Sequence, residues 1–71
     1  MEEGVRVKVP KKVIEGIETV RNTGRTNMLD FNAVQVIANE LELYETVVYM
    51  EEHKREWVKV LLGLTEVTED V

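Results

Sequence analysis

Residues 21–30 of the chain, RNTGRTNMLD, contain the residue types that bind anions. A glycine lets backbone N–H groups approach a ligand closely, and Arg21 and Arg25 would add positive charge beside Gly24. A helix pattern follows, and the first N–H groups of a helix attract phosphate. The segment lacks the second glycine and the lysine-threonine pair of a P-loop. The candidate anion loop consists of Arg21, Gly24, Arg25, Thr26 and Asn27.

The same segment also has the pattern of a plain connector between two helices. Gly24 suits the left-handed residue that ends a helix, and Asp30 suits the N-cap of the next one, with Asn27 as the competing cap. A carboxylate at the cap would repel an anion. The sequence therefore favours a connector and leaves anion binding as the alternative.

Catalytic and metal chemistry find little support in the composition. The chain has no serine and no cysteine, so threonine would be the nucleophile and His53, the single histidine, its base. His53 lies in the charged run EEHKRE, residues 51–56, which is typical of a solvated junction between helices. Without cysteine or a second histidine, zinc-type sites are disfavoured. We expect no enzyme, no metal and no cofactor.

Charge points to a protein partner rather than to nucleic acid. The net charge is −5, and residues 26–71 carry ten acidic and three basic side chains. Phosphate backbones require a clustered basic face, and a helix-turn-helix reader would bring glutamates to the DNA groove. Acidic side chains could instead cover a basic surface, or simply solvate the helices. The acidic residues in question are Glu40, Glu45, Glu51, Glu52 and Glu56.

The element that opens the chain is a short strand. Val5, Val7 and Val9 alternate with basic residues, and Pro10 ends the pattern. Such a strand needs a partner. The only other strand-like piece is residues 64–68, LTEVT, so either the two ends pair within one chain or the first strand pairs with its copy in a second chain.

Apolar residues at helical spacing predict the rest of the fold. A first helix starts at Pro10 and ends near residues 22–24, and Gly16 inside it indicates close approach of another backbone. A second helix follows Asp30. Residues 43–52 and 54–62 form two further helices or a single long one. The stripes are Val13, Ile14, Ile17 and Val20; Phe31, Val34, Ile37, Ala38 and Leu41; and Leu43, Val47, Met50, Trp57, Leu61 and Leu64.

The chain is therefore predicted to form one small, mainly α domain over residues 1–71. Three to four short helices form a bundle, with an N-terminal β-strand and a possible C-terminal one. Residues 1–9 are the strand-like extension, residues 10–63 the helical core and residues 64–71 the C-terminal tail. No apolar run approaches the roughly 18 residues that a membrane span needs.

Four short motifs lie along residues 12–63. The pattern Thr-Gly-x-Thr-Asn-Met-Phe-Asp is matched by Thr23, Gly24, Thr26, Asn27, Met28 and Asp30. The pattern Val-Gln-x-Ile-Ala is matched by Val34, Gln35, Ile37 and Ala38. Two later patterns are matched by Tyr44, Glu45 and Val47, and by Glu51, Glu52 and His53. In these motifs the chain resembles a family of short bacteriophage and prophage proteins known only as a domain of unknown function.

The chain departs from that family's pattern at two places. Leu29 stands where phenylalanine is usual, and Glu42 with Leu43 replaces a glycine-aromatic pair that would mark a helix break. The resemblance implies a phage origin, and with it the cytoplasm of an infected bacterial host, but no established activity. We expect a non-catalytic interaction protein that binds and inhibits a host protein such as a defence factor. The alternatives are an oligomer that sequesters a nucleotide signal through residues 21–27, and a phage transcriptional regulator.

Self-association is the last expectation from the sequence. A chain of 71 residues has a small core, and an unpaired strand recruits partners, commonly across a two-fold axis. Trp57 lies on the third apolar stripe and is expected in the core, whereas Tyr49 lies off it. We expect a homodimer, and the candidate interface residues are Val5, Val7, Val9, Glu45, Tyr49, Glu51, Glu52, Glu56 and Leu64.

Overall fold

The computed structural model describes residues 6–68, and in this part of the chain it shows a small, mainly α fold with one two-stranded sheet. Val5, named above as part of the first strand, lies outside the described residues. The predicted fold class is confirmed. The elements in chain order are β1 (Val7–Pro10), α1 (Lys11–Thr23), α2 (Phe31–Glu40), α3 (Tyr44–Glu52), a 3₁₀ turn (Lys54–Glu56), α4 (Trp57–Leu61) and β2 (Thr65–Thr68).

The two ends of the described chain pair with each other. β1 and β2 are parallel, with Val7 opposite Thr65 and Val9 opposite Val67. A parallel pair requires a long crossover, and here all four helices form it. Val9 is fully buried. Of the two pairings left open by the sequence, this chain adopts the internal one.

Tyr49 attaches β1 to the helices. Its ring is buried on α3, and its hydroxyl donates a hydrogen bond of 2.8 Å to the backbone carbonyl of Lys8. Tyr49 and Val9, both named above as candidate interface residues, are therefore core residues within the single chain. The helical stripe placed Tyr49 outside because it took no account of β1, whose Lys8 carbonyl accepts the Tyr49 hydroxyl.

Gly16 marks the contact between α1 and α3. It is buried, and a Cβ built on it would overlap with Oγ1 of Thr46 and lie 3.2 Å from the Thr46 Cβ. Close approach was predicted correctly, but the neighbour is the buried side chain of Thr46 rather than a backbone.

The predicted helix boundaries at residues 24 and 30 are confirmed. Gly24 has φ 67° and its N–H donates to the carbonyl of Arg21, which ends α1. The Asp30 side chain accepts a hydrogen bond of 3.1 Å from the N–H of Ala33 and so caps α2. α1 begins at Lys11, one position later than predicted, and Pro10 is the last residue of β1.

The third apolar stripe is split between two helices. α3 ends at Glu52, and the chain resumes as a 3₁₀ turn and then α4, so a single helix over residues 43–62 is not formed. Trp57 is buried, as expected, and its indole N–H donates 2.9 Å to the carbonyl of Met28. Phe31 packs edge-on against the same ring at 5.8 Å. Across the described residues, no helix is long and apolar enough to cross a membrane.

Candidate functional site

An open groove lies between the start of α1 and the outer face of α3. Its volume is about 390 Å³, toward the small end of the range for ligand-binding clefts. Its lining combines apolar and charged side chains. The apolar ones are Pro10, Val13, Tyr44, Val48 and Tyr49, and the charged ones are Lys12, Glu45 and Glu52.

Two apolar side chains on the groove side of α3 are exposed to solvent. Tyr44 is 56% exposed and Val48 is 53% exposed. They are four residues apart, so they are adjacent along one face of α3. The opposite face carries Thr46 and Met50, which are buried in the core. α3 is therefore apolar on two sides, and only one of them is covered within the described chain.

The rim of the groove is mainly acidic. Glu45 and Glu52 are exposed on α3, seven residues apart, so two turns separate them on the same side of the helix. Lys12 lies 4.0 Å from Glu45, and both side chains are more than half exposed. An ion pair of this kind contributes about 0–1 kcal/mol and is easily exchanged for another partner.

Glu51 belongs to the same acidic helix and has its own contacts. It accepts a hydrogen bond of 3.2 Å from the Gln35 side chain and lies 3.4 Å from the Lys54 ammonium group. The Gln35 hydrogen bond, and after it the Lys54 charge, hold the pKa of Glu51 below its ordinary value. Glu51 is therefore exposed and ionised at neutral pH.

The remaining acidic candidates are engaged in other contacts. Glu40 forms an ion pair of 2.9 Å with Arg25. Glu56 is half-buried in the 3₁₀ turn and lies near Tyr49. Burial, and after it the Glu56 charge, raises the pKa of the Tyr49 hydroxyl. The structure therefore brings Glu45 and Glu52 together at the groove and leaves Glu40 and Glu56 to other roles.

The loop of residues 21–27 uses many of its polar groups internally. The N–H of Arg25 donates to the Thr23 hydroxyl, and the N–H of Leu29 donates 2.8 Å to the Asn27 side chain. Arg25 itself pairs with Glu40, and the Thr26 hydroxyl contacts the Asn27 carbonyl at 3.4 Å. These contacts favour the connector interpretation. Anion binding by this loop stays a prediction.

His53 is more closely packed than a solvated junction would be. Its ring is half-buried and stacks on Tyr49 at 3.9 Å, and its Nδ1 lies 3.0 Å from the Tyr49 carbonyl. The same carbonyl accepts a hydrogen bond of 3.0 Å from the backbone N–H of His53. The position of the helix junction was predicted correctly, but the solvated environment of His53 was not. Within residues 6–68, no cluster of three or more histidine, cysteine or acidic side chains is placed to hold a metal ion.

The other interface candidates lie at the sheet. Val7 is half-buried in β1, and Leu64 is half-buried directly before β2. The N–H of Val7 donates 2.9 Å to the carbonyl of Leu64, which begins the strand pairing. Both residues therefore serve the internal pairing of the two chain ends.

Sequence reasoning did not identify Val48, Val13 or Pro10 as groove residues. Tyr44 was named only as part of the third family motif. A usable signal was present: in YETVVYM, residues 44–50, apolar side chains occupy more than one face of the helix. That pattern indicates a second contact surface, but it does not show which element faces it.

A family model covers most of the chain. Residues 9–63 match the model described as Domain of unknown function (DUF5049), and the chain belongs to this family. The matched residues include both walls of the groove and stop before β2. Comparison with curated proteins and with solved structures gave no match.

Proposed function

We propose that this protein is a non-catalytic binding module, and that the groove between α1 and α3 holds a segment of a partner protein. The observation that carries the proposal is the pair Tyr44 and Val48, apolar and more than half exposed between two carboxylates. Aromatic side chains in partly enclosed, desolvated positions contribute a large share of the energy of protein interfaces.

The rim defines the chemistry of the partner segment. Glu45 and Glu52 favour lysine or arginine, and the groove between them favours an apolar side chain. The partner segment should therefore present apolar residues flanked by basic ones. The charge of the whole chain, −5, would speed the encounter with such a surface.

The biological setting is the finer part of the proposal. We infer a phage or prophage origin from the motifs of residues 12–63, and a host protein as the partner whose surface is blocked. A partner that binds nucleic acid through a basic surface of its own would be inhibited when this chain covers that surface. A chain that acts by occupation needs no catalytic group.

The experiment compares two double variants in quantitative affinity capture from host lysate. Replacing Tyr44 and Val48 with alanine should reduce recovery of the partner at least tenfold, since two anchors are lost. The matched control replaces Val36 and Val58, which are 57% and 55% exposed outside the groove, and should retain the partner. Circular dichroism checks that both variants are folded.

A second pair of variants examines the charge of the rim. Changing Glu45 and Glu52 to lysine should abolish capture and lower the association rate. The control changes Glu15 and Glu18, which are exposed on α1, to lysine. It reverses the same number of charges outside the groove, so it should reduce capture less. Equal recovery by the groove variants and their controls would contradict the proposal, as would recovery of nucleotide or DNA without protein.

A further inference from the structure

The two outer edges of the sheet differ in whether a further strand could pair with them. In a parallel pair, successive residues direct their backbone groups alternately toward and away from the neighbouring strand. The N–H of Val7 donates to Leu64, so Val7 and Val9 direct theirs toward β2. Lys8 therefore faces the outer edge of β1, where its carbonyl accepts the Tyr49 hydroxyl. The next outward position is Pro10, which has no N–H, so this edge is closed to a further strand.

By the same alternation, half of the backbone groups of β2 point away from β1. Glu66 and Thr68 direct their backbone groups toward β1, and Thr65 and Val67 direct theirs outward. Within residues 6–68, no backbone hydrogen bond joins this edge to another segment. The contact found there is a weak one of 3.4 Å from the Arg6 side chain to the carbonyl of Thr65.

Val67 shows that the sheet is incompletely covered on the same side. Because it is opposite Val9, its side chain lies on the face of the sheet that carries the core. Val9 is fully buried, but Val67 remains 54% exposed. The helices therefore cover β1 and leave the core face of β2 half open.

We propose that a second copy of this chain occupies the edge, with β2 pairing antiparallel to β2 across a two-fold axis. Centred on Glu66, this pairing places Thr65 of one copy opposite Val67 of the other and satisfies all four of their outward N–H groups. The two Val67 side chains become diagonal neighbours on the core face. The product is a four-stranded sheet in the order β1-β2-β2-β1.

The edge is self-complementary in a way that favours a second copy over a foreign strand. The outward groups of Thr65 and Val67 match each other in this register, and both strands present the same apolar face. Two strands of four residues form a weak sheet, particularly when parallel, and doubling the sheet stabilises both halves.

Because of Glu66, the strength of the proposed association should depend on salt concentration. In the proposed register the two Glu66 residues form the close, non-hydrogen-bonded pair, and like charges directly opposite each other weaken a sheet. Added salt should therefore strengthen the assembly. Glu66→Gln should strengthen it several-fold at low salt and have less effect at high salt.

The experiment measures mass by light scattering and sedimentation over a range of protein concentrations. The full chain should give about twice 8.2 kDa at high concentration. Val67→Pro removes an outward N–H without touching the hydrogen bonds to β1, and should weaken association at least tenfold. Val67→Ala retains the N–H and should weaken it less. The Tyr44 and Val48 double variant should still associate, which separates this surface from the groove.

Two results would overturn the proposal. One is a monomer at all concentrations for both the full chain and Glu66→Gln. The other is a dimer that Val67→Pro leaves unchanged while circular dichroism shows a native fold. If Val67→Pro does not fold, Val67→Lys places a charge on the same edge, and undiminished association of that variant is equally decisive against it.

Discussion

At the scale of single residues, Glu42 is the residue whose backbone conformation conflicts with its side chain. It connects α2 and α3 with φ 62°, in the left-handed region that favours glycine. A residue with a Cβ is disfavoured there by about 1–2 kcal/mol, whereas glycine adopts this conformation readily.

We predict that Glu42→Gly stabilises the protein by about 1 kcal/mol, because the relief of strain exceeds the entropy that glycine loses on folding. Urea unfolding followed through Trp57 fluorescence measures the effect. Glu42→Ala is the matched control: it removes the same carboxylate but retains a Cβ, so it should not stabilise. Equal stabilisation by both variants would mean that charge, rather than backbone strain, is relieved.

Single residues also show which features of the fold can be predicted from the sequence. Gly16 indicated a close approach, and Asp30 and Gly24 marked helix ends, because each depends on local chemistry that the sequence displays. The identity of the neighbour at Gly16 depends on how two helices are placed in space. Thr46 carries no local signal for that contact, and it was not predicted.

At the scale of elements, the attachment of β1 to α3 depends on Tyr49. Its buried hydroxyl donates to the carbonyl of Lys8, and its ring stacks on His53. The sequence predicted both elements but not their contact, because residues 8 and 49 are distant in the chain. The apolar stripe of α3 therefore left Tyr49 outside the core, whereas the structure buries it.

The Tyr49 hydroxyl should make the stability depend on pH in the alkaline range. Burial, and after it the Glu56 charge, raises its pKa in the folded state above the unfolded value of about 10. The folded state therefore holds this proton more tightly. The contribution is fully present below the unfolded pKa and is lost as pH rises through the folded pKa.

We predict that Tyr49→Phe lowers the free energy of unfolding by about 1 kcal/mol at neutral pH, because the Lys8 carbonyl loses its donor. Above pH 10 the difference from the parent protein should shrink, because the Tyr49 hydroxyl of the unfolded parent ionises there while the folded parent still holds the proton, which lowers the parent's free energy of unfolding. Unfolding curves at pH 7 and above pH 10 measure both effects. Tyr44→Phe, at an exposed tyrosine, is the control and should show neither. A constant difference across this range would contradict the role of the hydroxyl.

At the scale of the whole molecule, the two ends of the described chain close the fold. The residues that match the family end at 63, yet β2 lies at residues 65–68 and pairs with β1. This contact spans nearly the whole chain, and Val9 is buried at its centre. The sequence left the pairing open, because alternation identifies a strand without identifying its neighbour.

Internal pairing also changes what removal of the first residues would do. Because the sequence predicted Val5, Val7 and Val9 at a homodimer interface, deletion of residues 1–9 would on that basis weaken a dimer. Since β1 pairs with β2 and accepts the Tyr49 hydrogen bond from α3, the same deletion should instead destabilise each chain. Within residues 6–68, the outer edge of β2 rather than that of β1 is the part of the sheet that could accept a second copy.

Truncation of the chain after Gly63 removes β2 and retains every residue that matches the family model. β1 would lose its strand partner, and Val9 would lose part of its cover. Full burial of one valine is worth about 1.5–3 kcal/mol, against the roughly 3–5 kcal/mol that a core of this size supplies. We therefore predict a loss of about 2 kcal/mol, which lowers Tm by roughly 8–16 °C.

Thermal unfolding by circular dichroism measures this loss, and two controls identify its cause. A chain that ends at Thr68 retains β2 and should keep the parent Tm. Val67→Pro retains the pairing within the chain but blocks the outer edge, so it separates the loss of β2 from the loss of a second copy. A Gly63-terminated chain with the parent Tm would show that the helices are stable without the strand pair. If instead its Tm falls well below that of Val67→Pro, the pairing of the two ends stabilises the single chain independently of any assembly.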